Sequence, residues 1–354
     1  VALAPKDIPL ADGSLHGYRY WPNPSSDDIG ETYLAFLSLL DGPAHIRISG
    51  RDSTRCRAVT TLLHGNEPSG LVAIFNTIKL GVTPAVDMHY FILNVEAAKQ
   101  PPGFFYRMLP GLKDQNRCFA PPFDDSSEDQ LALELLQKLV ELNPECLIDV
   151  HNTSGSSPAF GVTTFMDTKH NALVSLFTQR IVVTDLSLGS LMEISESILP
   201  AVTIECGGAA DAESSTLATE GLIKYLTLED VLTERQSDLM LEHFENPVRL
   251  ELKPGASIAY ANHHSIDHGV TLRPDIENHN FGHVGASYHL GYLSGEIGDL
   301  LSAKDSKGIE RLDEFFCAKN GELFPTKTLK FFMVTTNPEI AKNDCLLYVV
   351  AVEP

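Results

Sequence analysis

The sequence has no excess of basic charge, no long hydrophobic run and no closely paired cysteines, and each absence excludes a class of function. Lys and Arg number 26 against 47 Asp and Glu, a formal net charge of −21. Nucleic acid and anionic membrane surfaces both demand clustered cations, so neither is an expected partner. A small acidic ligand stays compatible, because a few arginines set the sign of one pocket. The longest apolar runs, such as CLLYVVAV at 345–352, are far too short to cross a bilayer. The first residues, VALAPKDIPLADGS, show neither a basic start nor an apolar segment, so no secretory signal is expected. Six cysteines stand at 56, 118, 146, 206, 317 and 345, none in a Cys-x-x-Cys pair. They read as scattered thiols of a reducing compartment, and the expected location is the cytoplasm.

What is present is an ordinary globular composition, 43% hydrophobic and 21% charged, over 354 residues. That length exceeds one compact core and predicts a large domain plus a smaller one. The first two-thirds alternates apolar runs with helical patterns. Strands are expected at 58–63, 89–93, 145–150 and 201–204, and helices at 69–80, 126–142, 169–180 and 217–244. The second helix is the best marked. SSEDQLALELLQKLVEL opens with a serine cap and an acidic first turn, puts leucines on one face and stops at Asn143-Pro144. Alternating strands and helices imply an α/β fold, a mainly parallel mixed sheet flanked by helices. From about 246 the runs become short and β-like, divided by Gly, Pro and Asn-Asp turns, which predicts a smaller C-terminal all-β domain. The expected division is 1–245 and 246–354.

The four expected strands end on chemically capable residues. TLLHGNEPSG delivers His64 and Glu67; NVEAAKQPPGFFYRMLPGLKDQNRCF carries Arg107, Asn116 and Arg117; CLIDVHNTSG carries Asp149 and His151, on one side of an extended strand; AVTIECGG ends on Glu205. A parallel sheet brings such ends to one edge. Catalytic zinc takes three protein ligands and keeps a position for water, and two histidines with a glutamate are an established set, here His64, Glu67 and His151. Such a metal lowers the pKa of its water from roughly 15.7 toward about 7 and polarises a carbonyl. A separate carboxylate must take the water's proton to the leaving nitrogen, and Glu205 is placed for that. Arg107 suits the charge that develops on the carbonyl oxygen. Arg117 with Asn116 suits a substrate carboxylate, and Asp149 is a candidate to orient a ligand histidine. Taken singly, each of these residues is more simply a strand-end or loop side chain; their joint, ordered occurrence carries the reading.

HGNEPSG, QNRCF, DVHNTSG and TIECGG together resemble the successive motifs of the succinylglutamate desuccinylase/aspartoacylase family, within the zinc carboxypeptidase superfamily. The resemblance covers roughly 55–245, with a β-rich C-terminal domain similar in kind. It implies a zinc-carboxypeptidase-like fold, one Zn2+ per chain on His64, Glu67 and His151, and Glu205 as general base. It also implies that Asn116 and Arg117 hold a substrate carboxylate and that Arg107 polarises the carbonyl. The chain departs from the pattern in two places. Asp114-Gln115 precedes the Asn-Arg pair where the family has Asp-Leu, and MLPGLK lengthens the segment after Arg107.

The expected activity is therefore zinc-dependent cleavage of an amide bond next to a carboxylate, with N-acyl amino acids as the leading substrates. Two rivals are a metallocarboxypeptidase acting on peptides or peptidoglycan fragments and a non-catalytic module that binds acyl amino acids. The expected partner is a small acidic substrate with a free carboxylate, and a homo-oligomer is left open. Six histidines in ANHHSIDHGV and ENHNFGHVGASYHL are read as loop residues, not as a second metal site, because no carboxylate is matched to them in a metal-binding spacing.

Overall fold

A computed structural model describes residue 8, residues 17–233, residue 235 and residues 240–343 and 345–352. The chain divides into two compact units. The first runs through Asn152 and includes Ala159–Val183 and Ser187–His243; the second comprises Thr153–Pro158, Thr184–Leu186 and Phe244–Pro354.

The first unit is built on a nine-stranded sheet. In chain order the strands are β1 (Arg19–Pro22), β2 (Ala44–Ile48), β3 (Asp52–Thr61), β4 (Val86–Ile92), β5 (Leu147–Thr153), β6 (Phe160–Thr163), β7 (Arg180–Val183), β8 (Ala201–Gly208) and β9 (Glu242–Glu245). Their spatial order is β1-β2-β4-β3-β5-β8-β6-β7-β9. β3 lies parallel to both β4 and β5, whereas β2 on β4 and β6 on β8 are antiparallel. The sheet is thus mixed, with a parallel centre. The helices of this unit are α1 (Tyr33–Leu39), α2 (Ser69–Lys79), α3 (Val95–Lys99), α4 (Ser127–Leu142), α5 (Thr168–Val174) and α6 (Ala212–Thr227).

Side-chain alternation along the central strands feeds two cores. Val59, Tyr90, Ile92, Ile148 and Ile204 pack in one cluster with Ile74 of α2 and Leu222 of α6. Ala58, Phe91, Leu147 and Ala201 pack in another with Leu135, Leu136 and Leu139 of α4. A sheet covered on both faces reads as continuous apolar runs, which is why these four strands were visible in the sequence. α4 begins and ends as its caps dictate. The Ser126 side chain accepts from the Asp129 N–H, and Asn143 turns left-handed at φ 47° just before Pro144.

Two expected helices come out shorter. That at 169–180 is α5, ending at Val174, because Arg180 already opens β7. That at 217–244 is α6, which starts earlier and stops at Thr227. Residues 234 and 236–239 of the expected span lie outside the described residues, and Glu242–Glu245 is a strand. The stop has a physical cause in Arg57. Its fully buried guanidinium donates to the carbonyls of Tyr225, Leu228 and Glu229 at 2.7–2.8 Å and to Glu145 at 2.9 Å, capping the helix end. Arg57→Met is expected to cost about 2 kcal/mol or more, since it takes the guanidinium from the buried Tyr225 and Leu228 carbonyls, while Arg55 still holds Glu145 and the Glu229 carbonyl. Urea unfolding checks this; a loss below about 0.5 kcal/mol, the range of ordinary surface substitutions, would overturn it.

The second unit carries two five-stranded sheets. One orders His283–Val284, Leu329–Phe332, Leu347–Ala351, Val248–Leu252 and Leu301–Lys304; the other orders Ile258–Tyr260, Val270–Leu272, Gly291–Leu293, Glu322–Pro325 and Phe316–Lys319. Short helical turns such as Leu312–Phe315 and Pro338–Asn343 interrupt it, so the unit is β-rich and not wholly β. Of the six histidines, His263, His264 and His283 are exposed, while His268, His279 and His289 are half-buried. His264 stacks on Tyr292, and His279 and His289 pack edge-on against Tyr288 and Tyr292.

Candidate metal and catalytic site

His64 and Glu67 occupy the tight turn between β3 and α2. The chain reverses at Leu62, φ 54°, and the Glu67 N–H closes on the His64 carbonyl at 3.2 Å. The glycines of HGNEPSG are there for space. A Cβ on Gly65 would stand 2.6 Å from the Ala97 Cβ and 2.8 Å from the Tyr106 carbonyl oxygen. One on Gly70 would stand 2.1 Å from the Thr61 hydroxyl, so only glycine lets α2 close onto β3. Asp149 and His151 lie on β5, the strand next to β3, with Asp149 opposite Thr60. Glu205 lies on β8.

Among the described residues one group can hold a metal ion: His64, Glu67 and His151, all buried, with one ligand atom from each lying within 4.8 Å of the others. His64 Nδ1 stands 2.8 Å from Glu67 Oε1, and His151 Nδ1 stands 2.7 Å from Glu67 Oε2. Each ring's other nitrogen faces a second carboxylate. His64 Nε2 is 2.9 Å from Asp114 Oδ1, and His151 Nε2 is 2.8 Å from Asp149 Oδ2. A neutral imidazole has one N–H, and an ionised carboxylate can only accept. Spent on Asp114 and Asp149, those N–H groups leave both Nδ1 lone pairs facing the oxygens of Glu67. Acceptors turned on acceptors need a proton or a metal ion between them, and two imidazoles with a carboxylate suit zinc.

With no cation between them, the carboxylates and the rings compensate one another's burial instead. Burial would raise the Glu67 carboxyl, yet His64 and His151 hold it well below the usual carboxylate range. Asp114 is likewise held low, by His64, Arg107 and Arg117 against the cost of burial. Burial would lower His151, but Asp149 and Glu67 hold it well above the usual histidine value. Glu205 moves the other way. Burial pushes it up to about 7, with Glu67 adding to the rise and His151 opposing it. Its Oε2 is buried without a hydrogen-bond partner.

The remaining expected residues sit in the loop after α3. Arg107 donates to Asp114 Oδ2 at 3.0 and 3.2 Å, and its Nη1 lies 3.7 Å from Glu67 Oε1. Asn116 accepts the Leu191 N–H on its side-chain oxygen at 3.0 Å, which turns its NH2 away from that contact. Arg117 Nη1 donates to the Asn116 carbonyl at 2.8 Å. Hydrogen bonds and ion pairs therefore join His64, Glu67, His151, Asp149, Asp114 and Arg107 into one network. Asn116 is attached through its N–H to Asp114 at 2.9 Å. Glu205 belongs to it electrostatically, its charge coupled to His151, Glu67, His64 and Arg107.

Three contributors were not singled out from the sequence. Asp114, named only as the residue before the Gln115 departure, holds His64 and Arg107 together. Thr60 donates to Asp149 Oδ1 at 2.6 Å. Asn152 accepts the Ser69 N–H at 3.0 Å and donates to the Gly207 carbonyl at 2.9 Å, tying the start of α2 to the end of β8. The one available signal was position, Asp114 lying next to the QNRCF motif and Asn152 within DVHNTSG. The Gln115 departure is absorbed locally: the side chain is buried and donates to the Glu128 carbonyl at 2.9 Å.

No helix among the described residues is long and apolar enough to cross a membrane. No family model matches the chain, and no curated protein does. Solved structures do. The succinylglutamate desuccinylase from Chromobacterium violaceum superimposes with a TM-score of 0.56 at 15% identity, covering 89% of this chain and 90% of that one. Murine aminoacylase 3 gives 0.51 at 16% identity over 85% and 96%. The ectoine utilization protein EutE (DoeB) from Ruegeria pomeroyi, in a product-bound structure, gives 0.51 at 14% identity over 86% and 88%. At these identities the likeness is one of fold, and the chain has the fold of the succinylglutamate desuccinylase/aspartoacylase structures.

Proposed function

We infer that this chain is a zinc-dependent hydrolase of the succinylglutamate desuccinylase/aspartoacylase family, removing the acyl group from an N-acyl amino acid. The observation that carries the reading is the pair of imidazole Nδ1 atoms turned onto Glu67, beside a carboxylate, Glu205, with an unpartnered buried oxygen. The desuccinylase and aminoacylase named among the similar structures support it.

The residues divide the work. His64, Glu67 and His151 hold one zinc ion, which when bound supplies Lewis acidity and an acidified water. Asp149 and Asp114 fix the tautomers of the two histidines. Glu205 takes a proton from water at its open oxygen and delivers it to the leaving nitrogen, its burial raising the affinity of the carboxylate for that proton. Arg107, anchored by Asp114, faces the charge that forms on the carbonyl oxygen. Asn116 and Arg117 grip the substrate carboxylate. Residues 1–245 form the hydrolase domain and 246–354 a β-rich accessory domain. Six free thiols support a reducing, cytoplasmic setting.

The test is a panel of N-acyl amino acids and short peptides offered to zinc-loaded protein. Release of the free amino acid from acyl amino acids supports this reading, and release of C-terminal residues from peptides alone supports the carboxypeptidase instead. Stable binding without turnover would favour the binding module. Arg117→Ala is expected to raise KM for a carboxylate-bearing substrate by roughly ten- to a hundredfold, the worth of a charge-assisted contact of about 1.5–3 kcal/mol. A fall in kcat at constant KM would remove Arg117 from the carboxylate clip.

A further inference from the structure

A second set of side chains in the first unit has the connectivity of a nucleophile with its base. Asp167 caps α5, its Oδ1 accepting both the His170 N–H at 3.0 Å and His170 Nδ1 at 2.7 Å. The far nitrogen of the same ring, Nε2, lies 2.6 Å from Ser195 Oγ. The Ala201 N–H donates to that same oxygen at 2.9 Å. These contacts assign every proton. A carboxylate only accepts, so His170 Nδ1 carries the ring's hydrogen and Nε2 its lone pair. In the neutral ring that lone pair takes the Ser195 O–H, while Oγ accepts the Ala201 N–H.

The set opens onto a cleft of about 350 Å3, lined by all three residues together with Phe165, Ile198, Leu199 and Pro200 and by the polar Lys169 and Ser197. Phe165 is 40% exposed and its ring lies 5.5 Å from the imidazole, so one wall of the cleft is apolar. None of the three shares a hydrogen bond with the His64, Glu67 and His151 group among the described residues. A cap for α5 needs only Asp167. It does not need an imidazole relayed to a hydroxyl at the edge of a cleft.

We propose that Asp167, His170 and Ser195 form a second, metal-independent hydrolytic site that takes carboxylic esters with small apolar acyl groups. Ser195 Oγ bonds to the ester carbonyl carbon while its proton moves to His170 Nε2. The carbon–alkoxy bond then breaks, and the leaving oxygen takes that proton and departs as the alcohol. Water next gives a proton to Nε2 as its oxygen bonds to the acyl carbon. The acyl–Ser195 bond breaks, Ser195 recovers the proton, and the carboxylic acid leaves. Asp167 holds the imidazole in the tautomer this requires and stabilises its charged form.

The first measurement is made on the unaltered full-length protein, with and without a chelator. It is treated with an alkyl fluorophosphonate, and the adduct is located by peptide mass mapping. One adduct per chain on Ser195, unaffected by the chelator, is expected. Hydrolysis of p-nitrophenyl butyrate is expected to survive chelation and to fall about a hundredfold or more in both Ser195→Ala and His170→Gln, with Asp167→Asn reduced as well. No Ser195 adduct in the unaltered protein would overturn the site, a result that needs no variant to fold. So would chelator-resistant ester hydrolysis undiminished in a folded His170→Gln variant. A purely structural chain of hydrogen bonds would move the melting temperature alone.

Discussion

Glu205→Gln is expected to lower turnover of an N-acyl amino acid by about 10²–10⁴-fold while zinc stays bound, the usual contribution of a positioned acid–base group. Glutamine keeps the shape and the buried oxygen but cannot carry the proton from water to the leaving nitrogen. Glu205 is also not a member of the metal-capable group, so metal content should not change. Product release and elemental mass spectrometry on the same preparation decide it. An undiminished rate would remove Glu205 from the chemistry, and lost zinc would make it a ligand.

The same substitution carries a pH signature in metal-free protein. The folded carboxyl is pushed up to about 7 from an ordinary 4.5, so the fold favours its protonated form. That contribution is fully present below the unfolded value and is lost as pH rises through about 7. The difference in melting temperature between Glu205→Gln and the parent should therefore widen in favour of the glutamine from pH 4.5 to 7, then level off. A difference that is flat across that window would mean the carboxyl is not raised by burial.

His151→Ala is expected to take the chain from one zinc to none after dialysis and to abolish the acyl-amino-acid activity with it. The loss goes beyond one donor. His151 stands between Asp149 and Glu67, both buried, and its removal leaves two carboxylates facing a cavity. Each unsatisfied group costs about 1–3 kcal/mol, so the variant should also be less stable than the parent freed of metal. Stoichiometric zinc retained by the variant would overturn the ligand set. Parent protein that takes up no zinc when it is supplied would overturn the metal altogether and bring the binding module forward.

The parts of the fold that could be read in advance are those where local chemistry and burial coincide. α4 has a serine cap, an acidic first turn and an Asn-Pro stop, and it forms between those signals. The second half of β3 and the whole of β4, β5 and β8 are buried on both faces and therefore appear as apolar runs. The short strands β1, β2, β6, β7 and β9 were not read, because four or five residues give too little pattern to separate a strand from a loop. The overlong helix at 217–244 failed for a non-local reason. Its terminus depends on Arg57, some 170 positions away, which collects the last carbonyls.

The sequence by itself determined the inventory of the candidate site: two histidines and a glutamate at two strand ends, a further glutamate at another, an Asn-Arg pair in the connecting loop. Residue type and short spacing suffice for that, because donor chemistry belongs to the side chain. Only the tertiary structure decided orientation. His64 meets Asp114 across 50 positions, Glu67 meets His151 across 84, and Thr60 meets Asp149 across 89. Those contacts choose which imidazole nitrogen turns inward, tie Arg107 beside the group and leave the Glu205 oxygen open. A hydrogen bond is directional and fixed by both partners, so its geometry exists only once strands distant in the chain lie side by side.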